Sequence, residues 1–157
     1  MSDYHSRDAL EELAGRIDRW LEGIASDNPA ITSVERTTSD DTPTGEPRWL
    51  VRMHGEEKDF TTVWLTLGQR TLRFETYVMP APDENAAVLH ENLLRRNARL
   101  VGAHFAIGVE DAVFLRGELP VAALTEPELD RILGTLYATV ERCFGGLLRI
   151  GFASRFN

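Results

Sequence analysis

The stretch that decides the fold is "RWLVRMHGEEKDFTTVWLTLGQRTLRFETYVM", Arg48 to Met79. It holds three runs rich in β-branched and aromatic residues: Arg48–Gly55, Phe60–Leu67 and Arg70–Met79. The joins between them, "EEKD" and "GQ", are short enough for antiparallel hairpins. Alternation within such runs sends successive side chains to opposite faces of a sheet. One set is apolar: Trp49, Val51, Met53, Val63, Leu65, Leu67, Leu72, Phe74 and Val78. The other mixes Leu50, Arg52, Thr62, Trp64, Thr66, Arg73, Glu75 and Tyr77. The first reads as a core face. The second is neither core nor plainly solvated.

Working outward, Leu10, Leu13, Ile17, Leu21 and Ile24 repeat at helical spacing and predict an amphipathic helix over about residues 7–26. Asp18 falls among the charged residues assigned to its other side. The strand-like piece "ITSVERT" follows, then the acidic turn segment "SDDTPTGEP", to which no structural role is given. Beyond the "MPAP" corner a second helix is expected over about 83–101, with Asp83 and Glu84 suited to its N-terminus. "AHFAIGVE" and "AVFLRGEL" read as two more strands meeting at Glu110–Asp111. They extend the core face with Phe105, Ile107, Val109, Val113 and Leu115, and the mixed face with His104, Phe114 and Arg116. The last helix opens with Thr125 as cap, Pro127 in the first turn and Glu128 placed to reach back. Its apolar face is Leu129, Ile132, Leu133, Leu136, Tyr137, Val140 and Phe144, and Gly145-Gly146 is expected to end it. The apolar tail "LLRIGFASRF" should pack on its own domain or on a second copy. Helix, strands, helix, hairpin and helix in that order predict one α+β domain over 1–157, with an antiparallel sheet of five or six strands.

Composition narrows the function. Hydrophobic residues make up 43% and charged residues 27%, an ordinary globular balance. A formal charge of −8 disfavours a general phosphate-binding surface, so no nucleic-acid partner is expected. Basic residues are nearly all arginine, with Lys58 the one lysine. Cys143 alone cannot make an intramolecular disulfide or a multi-cysteine zinc site, and its place near an apolar stripe suggests a buried, inert thiol. The first residues lack a signal-peptide pattern, and no apolar run approaches the ~20 residues that span a bilayer. A cytoplasmic protein without membrane partners is the expectation.

Several segments, in order, resemble the YbjN-domain family of bacteria, especially its actinobacterial members. They are "RWLVRMHGEEK", "TVWLTLGQRTLRFETYVMPAPDEN", "ENLLRRNARL", "FAIGVEDAVFLRGELP", "ELDRILGTLYATVE" and "LRIGFASRF". The resemblance runs over roughly 31–156. It implies a fold similar to the small dimeric chaperones of type III secretion, and hence a homodimer. The family carries the label of a sensory transduction regulator and brings no catalytic residues, so function by fold likeness is analogy only.

The standard catalytic patterns are missing. No HExxH, GxSxG, Walker A or GxGxxG occurs, and His54, His90 and His104 are scattered. No enzyme, metal or cofactor is therefore expected. The expected function is a non-catalytic protein-binding module, chaperone-like or regulatory. Its candidate contact residues are Trp64, Tyr77, Phe114, Arg52, Arg73 and Arg116, types enriched at interfaces. The same residues suit a half-wet sheet face whose aromatics steady cross-strand pairs. The alternative is a small-molecule sensor or enzyme using His90, Arg96 and Asn97 beneath the second helix. His90 and Asn97 fall two turns apart on its apolar side with Ala86, Leu89, Leu93, Leu94, Leu100 and Val101, while Arg95 points to solvent and Arg96 sits at the rim. Asn97 equally suits a clamp onto neighbouring backbone.

Overall fold

A computed structural model describes residues 7–37 and 45–156. Most of the acidic turn segment lies outside them. The elements are α1 (Arg7–Asp27), β1 (Ile31–Thr37), β2 (Arg48–His54), β3 (Phe60–Leu67), β4 (Thr71–Met79), α2 (Ala86–Asn97), β5 (His104–Ile107), β6 (Val113–Pro120) and α3 (Glu126–Gly151). The six strands form one antiparallel sheet in the order β1-β2-β3-β4-β6-β5. The fold is α+β, as the hairpin spacing predicts.

All three helices lie against one face of that sheet. Their buried side chains, such as Ile17 and Leu21 of α1 and Leu129, Leu133 and Leu136 of α3, form one cluster with Trp49, Val51, Leu65, Leu72 and Leu115 from the strands. Burying a side chain of that size contributes about 1.5–3 kcal/mol. Trp49 carries an indole N–H into this cluster and needs an acceptor there. Asp18 supplies it at 2.7 Å, and its second oxygen takes Arg36 at 2.7 Å. Asp18 therefore belongs to the sheet-facing rim of α1, not to its solvated side. A helical wheel places it next to the stripe and says nothing of a buried indole that needs it.

Other expectations are corrected. Ile107 and Val109, which alternation assigns to the core face, are 50% and 73% exposed. Ile107 lies at the end of the edge strand, where α2 covers it only in part and leaves an open cavity lined with His90 and Leu94, and Val109 sits in the 3-10 turn that follows. There Glu110 and Asp111 both adopt positive φ, which closes the hairpin tightly. Thr61 and Thr76 occupy buried core-face positions that the apolar pattern passed over, and Thr76 Oγ1 donates to the Thr62 carbonyl at 2.7 Å.

The last helix does not stop at Gly145-Gly146 but runs to Gly151. Two interior glycines weaken a helix by about 1 kcal/mol each, and burial of Leu147 and Phe152 beyond them outweighs that. The tail thus packs on its own chain. Thr125 accepts from the Glu128 N–H at 3.3 Å as a cap, while the Glu128 carboxylate turns to Arg131 instead of reaching back.

The Pro-broken corner before α2 is tied to this helix end. The N–H groups of Asp83 and Glu84 both donate to the Gly151 carbonyl, and Asn85 Nδ2 donates to that of Ile150. Such carbonyls have no partner within their own helix. Glu84 accepts from the Ser154 N–H at 2.6 Å, which lowers its pKa, and Asp83 pairs with Arg155 at 2.9 Å. The two carboxylates expected at the start of α2 serve the end of α3, because Asn85 in the left-handed region delays α2 to Ala86.

A second polar tie holds the β2–β3 hairpin. The Glu141 carboxylate on α3 accepts from the N–H groups of Glu56, Glu57 and Lys58, at 3.1, 2.8 and 3.5 Å. A Cβ on Gly55 would collide with that carboxylate and with the Lys58 carbonyl. Glu141→Ala is expected to lower stability by about 1–2 kcal/mol, and Gly55→Ala should lower it as well. In the double variant the two losses should fall short of additive, since both act on one contact. Denaturant midpoints of the four proteins check this, and full additivity would contradict it.

Candidate binding face and the alternative pocket

Helices on one side leave the other sheet face uncovered among the described residues. Register builds it row by row. Leu50 lies opposite Trp64, Trp64 opposite Glu75, Glu75 opposite Arg116 and Arg116 opposite His104. Beside this row run Arg48, Thr66, Arg73 and Glu118, and on the other flank Tyr77, Phe114 and Ala106. All six candidate contact residues stand on this one face, half-buried or exposed.

Its arginines and rings are layered. The Arg48 guanidinium lies 4.0 Å from the centre of the Trp64 ring, that of Arg52 lies 3.8 Å from Phe60, and that of Arg116 lies 5.2 Å from Phe114. Tyr77 and Phe114 meet edge to face at 5.7 Å. Desolvation raises the Tyr77 pKa, and the Glu110 charge adds to the shift. Arg73 pairs with Glu46 at 2.8 Å and Arg116 with Glu75 at 3.4 Å. The Nε atoms of Arg48 and Arg116 are buried and lack an acceptor among the described residues. Around them lies an open groove of about 500 Å³, with Trp64, Arg73 and His104 also in its lining.

Arg48 and Phe60 join this face beyond the residues that the sequence reading assigns to it. The signal was present, since Arg48, Leu50 and Arg52 alternate, as do Phe60, Thr62 and Trp64. Both residues stand at the first position of a strand, where a pattern is least distinct.

The alternative set does not converge. His90 and Asn97 line a cavity of about 230 Å³ with Leu93, Leu94, Phe105, Ala106 and Ile107, below the ~300–1,000 Å³ usual for small-molecule sites. Asn97 has spent its amide there: Oδ1 accepts from the Phe105 N–H at 2.6 Å and Nδ2 donates to the Phe105 carbonyl at 3.1 Å. Arg96 turns away, donating to Asn92 at 2.6 Å and to Cys143 Sγ at 3.3 Å. Cys143 itself is buried.

The apolar stripe of α2 is also narrower than expected. Leu89 and Leu93 are buried, but Leu94 is 69% and Val101 80% exposed. The helix ends at Asn97, and Gly102 with φ of 78° completes the reversal into β5. Among the described residues no group of three His, Cys, Asp or Glu is placed to hold a metal, and no helix is long and apolar enough to cross a membrane.

Asn97→Ala strands both polar groups of Phe105 and should cost about 2–4 kcal/mol. Asn97→Asp keeps the acceptor but, ionised, sets a second oxygen against the Phe105 carbonyl, so it should regain stability only as the pH falls and the carboxyl can donate there. Urea midpoints measure both, and an unchanged midpoint for the alanine variant would remove the clamp.

The model of a family described as "YbjN: Putative bacterial sensory transduction regulator" matches residues 14–149, reaching back into α1. An uncharacterized protein of Mycobacterium tuberculosis is 34% identical over 108 residues, 69% of this chain and 59% of that protein. One of Mycobacterium leprae is 33% identical over 112 residues, 71% of this chain and 61% of its own length. The matched region thus spans about six-tenths of these curated relatives. A match over most of the chain, running from the first helix to the last, identifies the protein as a member of the YbjN family.

Proposed function

We propose that this protein is a non-catalytic binding module of the bacterial cytoplasm, chaperone-like or regulatory, and that the open sheet face is its contact surface. One observation carries the reading: a six-stranded sheet whose uncovered side presents Trp64, Tyr77 and Phe114 among arginines. The family description as a sensory transduction regulator supports a regulatory role. The sequence resemblance implies a fold similar to the small type III secretion chaperones and with it a homodimer, and the α+β order with one antiparallel sheet is compatible with that reading.

Charge selects the partner's chemistry. The open-face strand positions carry Arg48, Arg52, Arg73 and Arg116 against Glu35, Glu75 and Glu118, and Glu46 at the rim pairs with Arg73, so the face is balanced in charge on a chain of formal charge −8. A protein segment that combines apolar side chains with carboxylates fits it. The apolar groups would cover the rings, and the carboxylates would meet guanidinium edges left free by ring stacking. Arginine stacked on an aromatic ring keeps its in-plane donors available, so the layering prepares the face for such a segment.

Phe114→Glu and Arg52→Glu should each reduce recovery of the bound partner at least tenfold from native cytosol. The exposed helix-side control Arg142→Glu should retain it, and all three should melt within a few degrees of the parent. Sedimentation of the same variants tells whether the lost partner is a second copy. Equal recovery by face and control variants would contradict the reading. If Phe114→Glu alone unfolds the chain, Arg52→Glu still decides the matter, because Arg52 is exposed.

A further inference from the structure

The exposed large apolar side chains of the described residues gather on one stretch of chain. Val88, Leu94, Val101, Ile107 and Val109 lie between the start of α2 and the turn after β5, and only Phe60, Tyr77 and Phe156 lie elsewhere. Apolar residues scattered singly on a surface need no explanation, but a group beside a cavity marks a contact site. Leu94 and Ile107 form such a group. They border the opening of about 230 Å³ between α2 and β5, whose lining is apolar apart from His90 and Asn97.

Strand pairing is not what this edge is built for. The N–H and carbonyl of Phe105 face away from β6, and the Asn97 amide occupies both. An incoming strand would have to break that tie, so the edge is guarded against strand addition there. Contact with Leu94 and Ile107 must come through side chains.

The exposed side of α2 narrows the choice of occupant. Ala87, Glu91, Leu94 and Ala98 follow at helical spacing along it, and all are exposed. The alanines at either end let another helix approach closely, while Leu94 projects between them. Glu91 pairs with Arg95 of its own chain at 3.5 Å, and both side chains remain largely in solvent. A contact between two copies about a two-fold axis uses the same patch twice, so the patch must carry projection and recess together, and charges of both signs. This patch carries all of them within the length of one short helix and the strand end beside it.

We propose that α2 and the outer end of β5 form the contact between two copies of this chain, with the α2 helices antiparallel across a two-fold axis. Glu91 of each copy meets Arg95 of the other, and Leu94 of each covers the opening beside Ile107 of the other. Burial of the apolar groups supplies the attraction, and the two charge pairs set the register. The homodimer of the reading above thus gains a surface of its own, and the sheet face stays available to a different partner.

Sedimentation equilibrium of the full chain over a range of concentrations tests it. The parent should dimerise, and Leu94→Asp and Ile107→Asp should each weaken the dimer by about tenfold or more. Both positions are at least half exposed, so the variants should melt within a few degrees of the parent. Charge reversal gives the sharper check. Glu91→Arg sets arginine against arginine and Arg95→Glu sets glutamate against glutamate, so each should dimerise more weakly than the parent. An equimolar mixture of the two should recover dimer, because each chain then supplies the sign that the other needs. Mixing would not repair a damaged fold. A monomeric parent overturns the proposal, as does a dimer that withstands both aspartate variants, or a mixture no tighter than its components. Dissociation by Phe114→Glu with Leu94→Asp still dimeric would put the second copy on the sheet face and overturn it equally. Leu94→Asp should still recover the partner of the sheet face, so the two readings fail separately.

Discussion

The helices cover one face of the sheet, and the rest of the molecule follows from that constraint. A strand sends alternate residues to opposite sides, so each of the six must satisfy a dry environment and an open one. The dry side is filled by Trp49, Val51, Leu65, Leu72 and Leu115 against α1 and α3. The open side cannot be wholly apolar without inviting aggregation, nor wholly charged without weakening cross-strand packing. Here the conflict is met by laying guanidinium groups on rings, Arg48 on Trp64 and Arg52 on Phe60. Each arginine shields apolar surface with its flat face and keeps hydrogen-bonding capacity at its edge.

Polar ties then fix the helices over the dry side. Asp18 joins α1 to Trp49, Asn97 joins α2 to Phe105, Glu141 joins α3 to the β2–β3 hairpin, and the Asp83–Asn85 corner meets the end of α3. Each joins residues at least eight positions apart, and together they bring loops and helix ends to the edges of the sheet. The helix that looked most like a catalytic element is one of these ties. Its asparagine has both amide groups occupied by backbone, and its arginine packs toward Cys143.

Much of this was legible in the residues. Period-two alternation over Arg48–Met79 gave three strands, their hairpin pairing and most members of both faces, though not Arg48, Phe60, Thr61 or Thr76, and period-3.6 patterns gave α1 and most of α3. What escaped depended on contacts distant in sequence. Gly145-Gly146 reads locally as a stop, yet the helix continues because Leu147 and Phe152 find core beyond it. Asp83 and Glu84 read as an N-terminal pair, but their partners are residues 151–155. Ile107 alternates correctly and still lies half in solvent, because alternation assigns a face and not the extent of the helix above it. Arg96 was grouped with His90 by proximity on one helix, while the structure turns it toward α3.

The central claim is that the arginine–aromatic face is open in the isolated chain and covered in its working complex. Hydroxyl-radical footprinting of the dilute isolated chain and of the complex recovered from cytosol tests this at single side chains. Trp64, Tyr77 and Phe60 should oxidise readily in the isolated chain while buried Trp49 stays silent, and the first three should become protected in the complex. Protection of those three in the dilute chain itself would contradict the account. So would a complex that shields the outer surfaces of α1 and α3 and leaves Trp64 and Tyr77 as reactive as before.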